Sequence, residues 1–197
     1  MPATDLPTIE LSDRSAWERW LEANHESSPG VWLKFARKGS GTATLTKAEA
    51  LEEAIRYGWI DAQVRRHDDA FWLQRFTPRG PRSKWSQVNR RKATELIEQG
   101  RMRPAGLAEV EAAKNDGRWD AAYAPQSTVT VPKDFQRALD ANPQAKEFFA
   151  TLKGSERYSF LYRIYDAKHP ETRTRRIRDY VAMLGDGKTI HGRSGGN

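Results

Sequence analysis

The chain contains no cysteine and only three methionines. Without cysteine it can form no disulfide, no thiolate nucleophile and no cysteine-ligated zinc or iron–sulfur site. Its apolar runs are a few residues long, far below the roughly 18 residues that a membrane-spanning helix needs. The four histidines, at positions 25, 67, 169 and 191, are isolated from one another and predict no zinc site. We therefore expect no membrane span, no bound metal and no cofactor.

The composition is that of a folded, well-solvated protein. Hydrophobic residues make up 38% of the 197 residues and charged residues 30%, and seven Trp, seven Phe and six Tyr are too many for a disordered chain. The first residues lack the basic and apolar regions of a secretory signal. Together with the missing cysteine, this predicts a cytoplasmic location.

Positive charge is concentrated between Arg75 and Arg103. This stretch holds nine Lys or Arg against two Glu, an excess equal to the net charge of +7 of the whole chain. Aromatic residues, Trp72, Phe76 and Trp85, lie in or beside it. The pattern predicts a surface for anions, and it also fits a nucleic-acid interface in which basic side chains contact phosphates and rings stack on bases.

The order of the sequence patterns predicts an α+β protein, with N-terminal helices packed on a small, mostly antiparallel sheet and then a C-terminal helical module. Ser12 is expected to cap a first helix, and Thr46 with Glu49 forms a capping box. Between strand and helix, Gly39-Ser40-Gly41-Thr42 is a loop that could offer N–H groups to a phosphate. The expected limits are an α+β domain over 1–119, an extended linker over 120–132, a helical module over 133–185 and a flexible tail over 186–197.

A β-hairpin is predicted from residues 59–66 and 70–77, with Asp68-Asp69 at its turn. That register places Asp61 opposite Phe76 and Gln63 opposite Gln74. One face then carries an ordinary core set, namely Ile60, Ala62, Val64, Phe71 and Leu73. The other face is polar at its centre and aromatic at its edges, and this composition fits either a ligand-binding surface or a solvated sheet face. Its residues are Trp59, Asp61, Gln63, Arg65, Trp72, Gln74 and Phe76.

Asp61 is the carboxylate of most interest, because it lies between apolar neighbours in a predicted strand. Its expected partner is Arg75, Arg79 or Lys84, in a structural ion pair or, alternatively, as a general acid or base. No catalytic residue is assigned. The candidate binding residues are Asp61, Gln63, Trp72, Gln74, Arg75, Arg79, Arg82, Lys84 and Trp85; of these, Trp85 also fits a core position on a helix.

Several motifs, in this order, resemble the bacterial YdeI/OmpD-associated, or bacteriocin-protection, family over about residues 10 to 190. They are Glu49-Ala50-Leu51, Tyr57-Gly58-Trp59-Ile60-Asp61, Gln74-Arg75-Phe76-Thr77-Pro78-Arg79, Ser83-Lys84-Trp85-Ser86, Asn89, Gly106-Leu107, Gly117-Arg118-Trp119-Asp120, Tyr123, Val131-Pro132, Phe148-Phe149-Ala150 and Thr172-Arg173-Thr174-Arg175-Arg176-Ile177. The resemblance implies a link to porin biology and to tolerance of bacteriocins or antimicrobial peptides, and it implies no catalytic set.

The leading expectation is a non-enzymatic anion-binding module in stress or peptide tolerance, whose partner is a small anion or a protein. Two alternatives stay open at this point. The first is nucleic-acid binding through the basic 75–103 stretch, and the second is a small-molecule enzyme that uses Asp61.

Overall fold

In a computed structural model, which describes residues 6 to 192, the chain divides into two compact units, Met1–Ala122 and Tyr123–Asn197. The boundary after Ala122 falls inside the segment predicted as a linker, residues 120–132. The expected domain limits themselves stay a prediction. Of the expected tail, residues 193–197 lie outside the described residues, whereas Thr189 is described and buried.

From residue 6 to Ala122, the first unit contains a four-stranded sheet and four helices. Its elements are β1 (Thr8–Glu10), α1 (Arg14–Asn24), β2 (Val31–Ala36), α2 (Lys47–Arg56), β3 (Trp59–Arg66), β4 (Phe71–Pro78), α3 (Gln87–Glu98) and α4 (Pro104–Asn115). The strand order is β1-β2-β4-β3, and only the short β1 runs parallel to its neighbour. The predicted α+β class with a mostly antiparallel sheet is confirmed.

Helices α1 and α2 cover one face of this sheet. Trp17 of α1 lies 6.3 Å from Trp59 and 5.7 Å from Phe76, measured between ring centroids, and all three side chains are buried. The indole N–H of Trp17 donates a hydrogen bond of 3.0 Å to Ala50 O of α2. These aromatic contacts fix both helices to the centre of the sheet.

A second apolar cluster forms on the other side of α2, where α3 and α4 pack. It joins Ile55 to Trp85, Leu96 and Val110. Gly106 of α4 makes the closest approach, because a Cβ built there would lie 2.3 Å from Arg56 O. Only glycine permits α4 to pack this tightly on α2.

Of the two predicted helix caps, one is present and the other is displaced by one residue. Thr46 Oγ1 accepts a hydrogen bond from Glu49 N at 3.3 Å, and Glu49 Oε2 accepts one from Thr46 N at 3.0 Å, so the predicted capping box is confirmed. At α1 the cap is Asp13, whose carboxylate accepts from Ala16 N at 2.8 Å. The prediction of Ser12 as the cap was wrong by one residue, and Ser12 Oγ instead donates to Asp13.

The hairpin register differs from the predicted one because β3 contains a β-bulge. Asp61 does pair with Phe76, as predicted, but Val64 rather than Gln63 lies opposite Gln74. The extra residue exposes the backbone carbonyls of the bulge to the Gln74 side chain, whose Nε2 donates to Ala62 O at 2.9 Å and to Gln63 O at 3.4 Å. Gln74 is fully buried, and these two hydrogen bonds hold its side chain against the backbone of the bulge.

The predicted roles of the two hairpin faces were wrong in part, although Leu73, expected in the core, is buried. The face with Trp59 and Phe76, expected to be the ligand-binding or solvated one, is the core face under α1 and α2. Val64, expected in the core, is 59% exposed. After the bulge, Arg65 lies on the opposite face, with its guanidinium carbon 4.3 Å from the Trp32 ring rather than on Trp72.

The second unit is a bundle of four helices, α5 (Lys133–Asp140), α6 (Pro143–Thr151), α7 (Gly154–Tyr165) and α8 (Pro170–Gly185). Rings contact edge to face in its core, with Phe135 5.3 Å from Phe149 and Phe160 5.2 Å from Tyr180. Arg173 of α8 forms hydrogen bonds with residues of α5 and α7. It donates to both carboxylate oxygens of Asp134, at 2.6 and 2.9 Å, and to Ile164 O at 2.8 Å.

Candidate functional site

A pocket of about 620 Å³ opens in the first unit where β2 ends and its loop leads to α2. One wall is apolar and is formed by Phe35, Leu45 and Trp72. Three basic residues, Arg37, Lys38 and Lys47, also line it. Of the described residues that form its lining, none is acidic. The pocket therefore combines an aromatic surface with a local excess of positive charge.

Backbone hydrogen bonds fix both ends of the loop that surrounds the pocket. Arg37 N donates to Ala70 O at 2.7 Å, and Leu45 N donates to Leu11 O at 3.1 Å. Thr44 Oγ1 accepts from Ala36 N at 3.0 Å, which ties the returning part of the loop to β2. The loop thus has a defined entry and exit.

Between these fixed ends the loop turns through two glycines. Gly39 has a φ of 87° and Gly41 a φ of 76°. These left-handed conformations are strained for other residues, so the sequence Gly-x-Gly is what allows the tight turn. Ser40 Oγ accepts a hydrogen bond of 3.4 Å from Thr42 N inside it.

The cations of the pocket keep their charge available to a ligand. Arg37 Nε donates to Asp68 O at 3.4 Å, and because this carbonyl is neutral, the bond does not neutralise the guanidinium charge. Lys47 Nζ lies 3.7 Å from Asp61 Oδ2, with the two side chains 49% and 25% exposed. Water screens such an ion pair strongly, so an anion in the pocket can compete for Lys47.

The start of α2 adds a smaller electrostatic contribution. The positive end of a helix dipole favours anions, and Lys47 is the first residue of α2. Glu49 acts in the opposite sense, because hydrogen bonds from the Thr46 side chain and the Thr46 backbone lower the pKa of Glu49 and keep it ionised. Its carboxylate is occupied by the capping box and does not line the pocket.

The aromatic wall is a preformed stack. The rings of Phe35 and Trp72 are 4.8 Å apart and inclined by 23°. They face each other because Phe35 of β2 and Trp72 of β4 are direct partners in the antiparallel register. The position of Trp72 is therefore set by the sheet rather than by the loop.

The structure does not bring the nine predicted binding residues into one site within residues 6–192. Trp72 lines the pocket, and Asp61 contacts Lys47, which replaces the expected partners Arg75, Arg79 and Lys84. Gln63 and Gln74 lie at the bulge, and Gln63 is exposed. The others lie elsewhere: Arg75 pairs in register with Trp32, Arg79 is buried on Trp85, and Arg82 and Lys84 are exposed before α3.

Arg79 was expected to be a surface cation, and this was wrong. It is only 5% exposed, since its guanidinium lies flat against the Trp85 ring inside the α2–α3–α4 cluster. Trp85 is buried as well, which is the core role that helical spacing predicted as one alternative. This part of the basic stretch is an internal contact.

Other basic residues of the 75–103 stretch form ion pairs with glutamates far away in the sequence. Lys92 Nζ lies 3.2 Å from Glu52 Oε2, and Arg101 Nη2 lies 2.7 Å from Glu52 Oε1. Arg103 Nη2 lies 3.2 Å from Glu18 Oε1. A local excess of charge in the sequence is therefore not one continuous basic surface in the folded unit.

Sequence reasoning missed Arg37, Lys38 and Lys47 as pocket residues. The signal that could have found them is the pair Arg37-Lys38 directly before the Gly39–Thr42 loop, which was considered for phosphate contacts on its N–H groups alone. A basic pair followed by a glycine turn and a capped helix places several cations near one point.

Comparison with protein-family models divides the chain in the same way as the fold. Residues 9–109 match a domain of unknown function, DUF8412. The chain belongs to this family. Residues 128–187 match the family described as bacteriocin-protection, YdeI or OmpD-associated, so the expected resemblance is confirmed for the C-terminal part. The pocket lies in the DUF8412 domain, and the Arg173 contacts with Asp134 and Ile164 lie in the other.

No curated protein and no solved structure matches the chain. None of the helices between residues 6 and 192 is long and apolar enough to cross a membrane. Over the same residues, no three His, Asp or Glu side chains lie together as a potential metal site.

Proposed function

We propose that this protein is a non-enzymatic module that binds a small anion in the pocket between β2, β4 and α2. The observation that supports this most is the placement of Arg37, Lys38 and Lys47 around a cavity without an acidic lining residue among those described. A cavity of this size is within the range of pockets for small molecules, roughly 300 to 1,000 Å³.

Charge is the reason that an anion is favoured over a neutral ligand. Each cation attracts an anion at 4 Å by about 1 kcal/mol in bulk water and by more where the pocket wall excludes water. The guanidinium of Arg37 can also form two parallel hydrogen bonds to a carboxylate or phosphate. Because the three side chains come from one loop and one helix start, they act on the same ligand.

Binding is favoured over catalysis by the surroundings of Asp61. Asp61 does not line the pocket, and its carboxylate lies 3.7 Å from Lys47 in an ion pair, so this carboxylate is not placed to exchange a proton with a ligand bound there. We place the binding role in a bacteriocin or antimicrobial-peptide tolerance pathway, which the name of the C-terminal family match supports. The proposed site of action is the cytoplasm.

The test is an anion titration of matched variants. Inorganic phosphate and sulfate are titrated, with NMR shifts recorded, into the native protein and into the variant Arg37→Gln/Lys38→Gln/Lys47→Gln. The control, Arg82→Gln/Lys84→Gln, removes exposed cations outside the pocket. We expect the triple variant to bind at least tenfold more weakly and the control to bind normally. Equal binding by all three proteins, or no binding at all, contradicts the proposal.

The same proteins separate this role from nucleic-acid binding. Contact with phosphates through Arg82 and Lys84 predicts binding of mixed-sequence DNA or RNA that weakens steeply with salt and is lost in the control variant. We expect no such binding at low salt.

The tolerance pathway is tested in cells that lack the protein. These cells are complemented with the native chain or with the triple variant and then challenged with bacteriocin, and the triple variant is expected to restore less protection than the native chain.

A further inference from the structure

We infer that the natural ligand of the pocket is a planar ring that carries an anionic group, with the ring stacked on Trp72 and the anion held by Arg37, Lys38 and Lys47. This inference rests on the proposed anion-binding function and specifies the chemical class of the ligand.

The first argument rests on the size of the pocket and on its two parts, an aromatic wall and a group of cations. At about 620 Å³ it is far larger than a bare phosphate or sulfate ion, which would leave the partly exposed ring of Trp72 in contact with water. A ligand that covers both the aromatic wall and the cations must have an apolar part and an anionic part. This excludes inorganic ions as the best ligands of the site.

The second argument is the rigidity of the aromatic wall. One face of Trp72 rests on Phe35 at 4.8 Å, with the two rings 23° from parallel. Both residues are anchored as direct partners in the β2–β4 register. An indole fixed in this way can stack on a flat ligand without losing conformational freedom, so the stacking energy is retained in the affinity.

The third argument is the polar group available between the wall and the cations. Thr44 Oγ1 accepts its hydrogen bond from Ala36 N, and its own hydroxyl hydrogen is not used in that bond. Thr44 also lines the pocket. A ring with a hydrogen-bond acceptor at its edge, such as a nucleobase or a substituted aromatic acid, can bind this hydroxyl.

The ring and the anion could belong to a nucleotide or to an aromatic carboxylic acid, and these share the chemistry that the pocket recognises. The probes are therefore inorganic phosphate, ribose 5-phosphate, adenosine 5′-monophosphate and indole-3-acetate. Binding is measured by calorimetry on the native protein, Trp72→Leu and Trp72→Phe, with thermal unfolding as the check that each variant is folded.

We expect at least one ring-bearing anion to bind about tenfold or more tightly than phosphate and ribose 5-phosphate, since base–aromatic stacking contributes roughly this factor. Trp72→Leu should remove that advantage, so that ring-bearing anions bind about as tightly as phosphate to this variant, and Trp72→Phe should retain most of the advantage. Adenosine 5′-monophosphate binding more tightly than indole-3-acetate would identify the ligand as a nucleotide, and the reverse order would identify it as an aromatic carboxylic acid. If Trp72→Leu does not fold, the comparison of the ring-bearing anions with phosphate and ribose 5-phosphate on the native protein still tests the inference.

Two results overturn the inference, and they are distinguishable. If ring-bearing anions bind no more tightly than inorganic phosphate, or if the folded Trp72→Leu variant keeps the full ring preference, the ligand class is wrong while the anion site stands. If neither phosphate nor any other probe binds, the proposed function fails together with the inference.

Discussion

The guanidinium carbon of Arg79 lies 3.6 Å from the centre of the Trp85 ring, and the two residues are only 5% and 1% exposed. Nη1 of Arg79 also donates a hydrogen bond of 3.3 Å to Lys84 O. Cation–π contacts are strongest where water is excluded. Arg79 therefore connects the end of β4 to the segment that leads into α3, and it does so from inside the unit.

Replacing Arg79 should destabilise the protein, whereas replacing a neighbouring exposed arginine should not. We expect Arg79→Gln to lower the free energy of unfolding by about 2 kcal/mol or more, because the cation–π contact is lost and a polar group stays buried. Arg82→Gln is the matched control and should change the free energy by less than about 0.5 kcal/mol. Urea unfolding of both variants measures the difference, and equal stabilities would refute the buried role of Arg79.

Glu52 should make the first unit acid-sensitive. Burial acts to raise the pKa of Glu52, but hydrogen bonds from Arg101, Arg14 and Lys92 outweigh it and lower the pKa from 4.5 to about 2. A lowered folded-state pKa contributes stability above the unfolded-state pKa, and this contribution is lost as the pH falls from about 4.5 towards 2.

The expected result for Glu52→Gln is a loss of roughly 2 to 3 kcal/mol at pH 7 and a difference from the native protein that shrinks between pH 5 and 2. Glu95→Gln removes a glutamate from an exposed pair with Arg91 at 3.9 Å and should show neither effect. Denaturant unfolding at several pH values gives the comparison. A difference that is independent of pH would show that Glu52 acts through packing alone.

Gly106 should not tolerate alanine, although alanine is the better helix former. A Cβ at this position would lie 2.3 Å from Arg56 O and 2.8 Å from Ile55 O, so α4 would have to move away from α2. The expected cost of about 1 to 3 kcal/mol exceeds the gain in helix propensity of about 1 kcal/mol. At Gly80 a Cβ would meet none of the described atoms within 4 Å, and Gly80→Ala is the control. A Gly106→Ala variant as stable as this control would contradict the close packing.

Arg173→Lys should destabilise the helical unit even though the charge is kept. A lysine ammonium cannot donate to both oxygens of Asp134 and to Ile164 O in the planar geometry that the guanidinium provides. We expect a loss of about 1 to 2 kcal/mol, measured by chemical unfolding followed by circular dichroism. Arg178, which contacts only the exposed Asp179 among its described partners, supplies the control substitution Arg178→Lys. Similar effects of the two changes would argue against a joining role for Arg173.

Element types could be predicted because their signals are local. The Thr46–Glu49 capping box and the Asn142-Pro143 start of α6 each depend on neighbouring residues, and both are present. The faces of β3 could not be predicted from alternation, because one extra residue between Asp61 and Val64 reverses the side chains in the part of β3 that follows. Whether Trp59 and Phe76 meet solvent depends on α1, whose Trp17 is more than 40 residues before either.

The charge pattern failed for a similar reason. A count along the sequence finds Lys92, Arg101 and Arg103 close together, but it cannot include Glu18 and Glu52, which reach them only through the packing of α1, α2 and α3. The pocket was partly predictable, since the glycine loop was visible. Its aromatic wall was not, because Trp72 joins Phe35 only through strand register.

The bulge in β3 bears on whether a second copy of the chain can add a strand to the edge of the sheet. β3 is an edge strand of the sheet, and a long regular edge is a template on which another chain can add a strand. The extra residue at the bulge, sealed by Gln74, breaks the spacing that an incoming strand needs, and Arg65 and Arg66 place charge along the part that follows. The same irregularity that reverses the later side chains of β3 thus works against edge-to-edge aggregation.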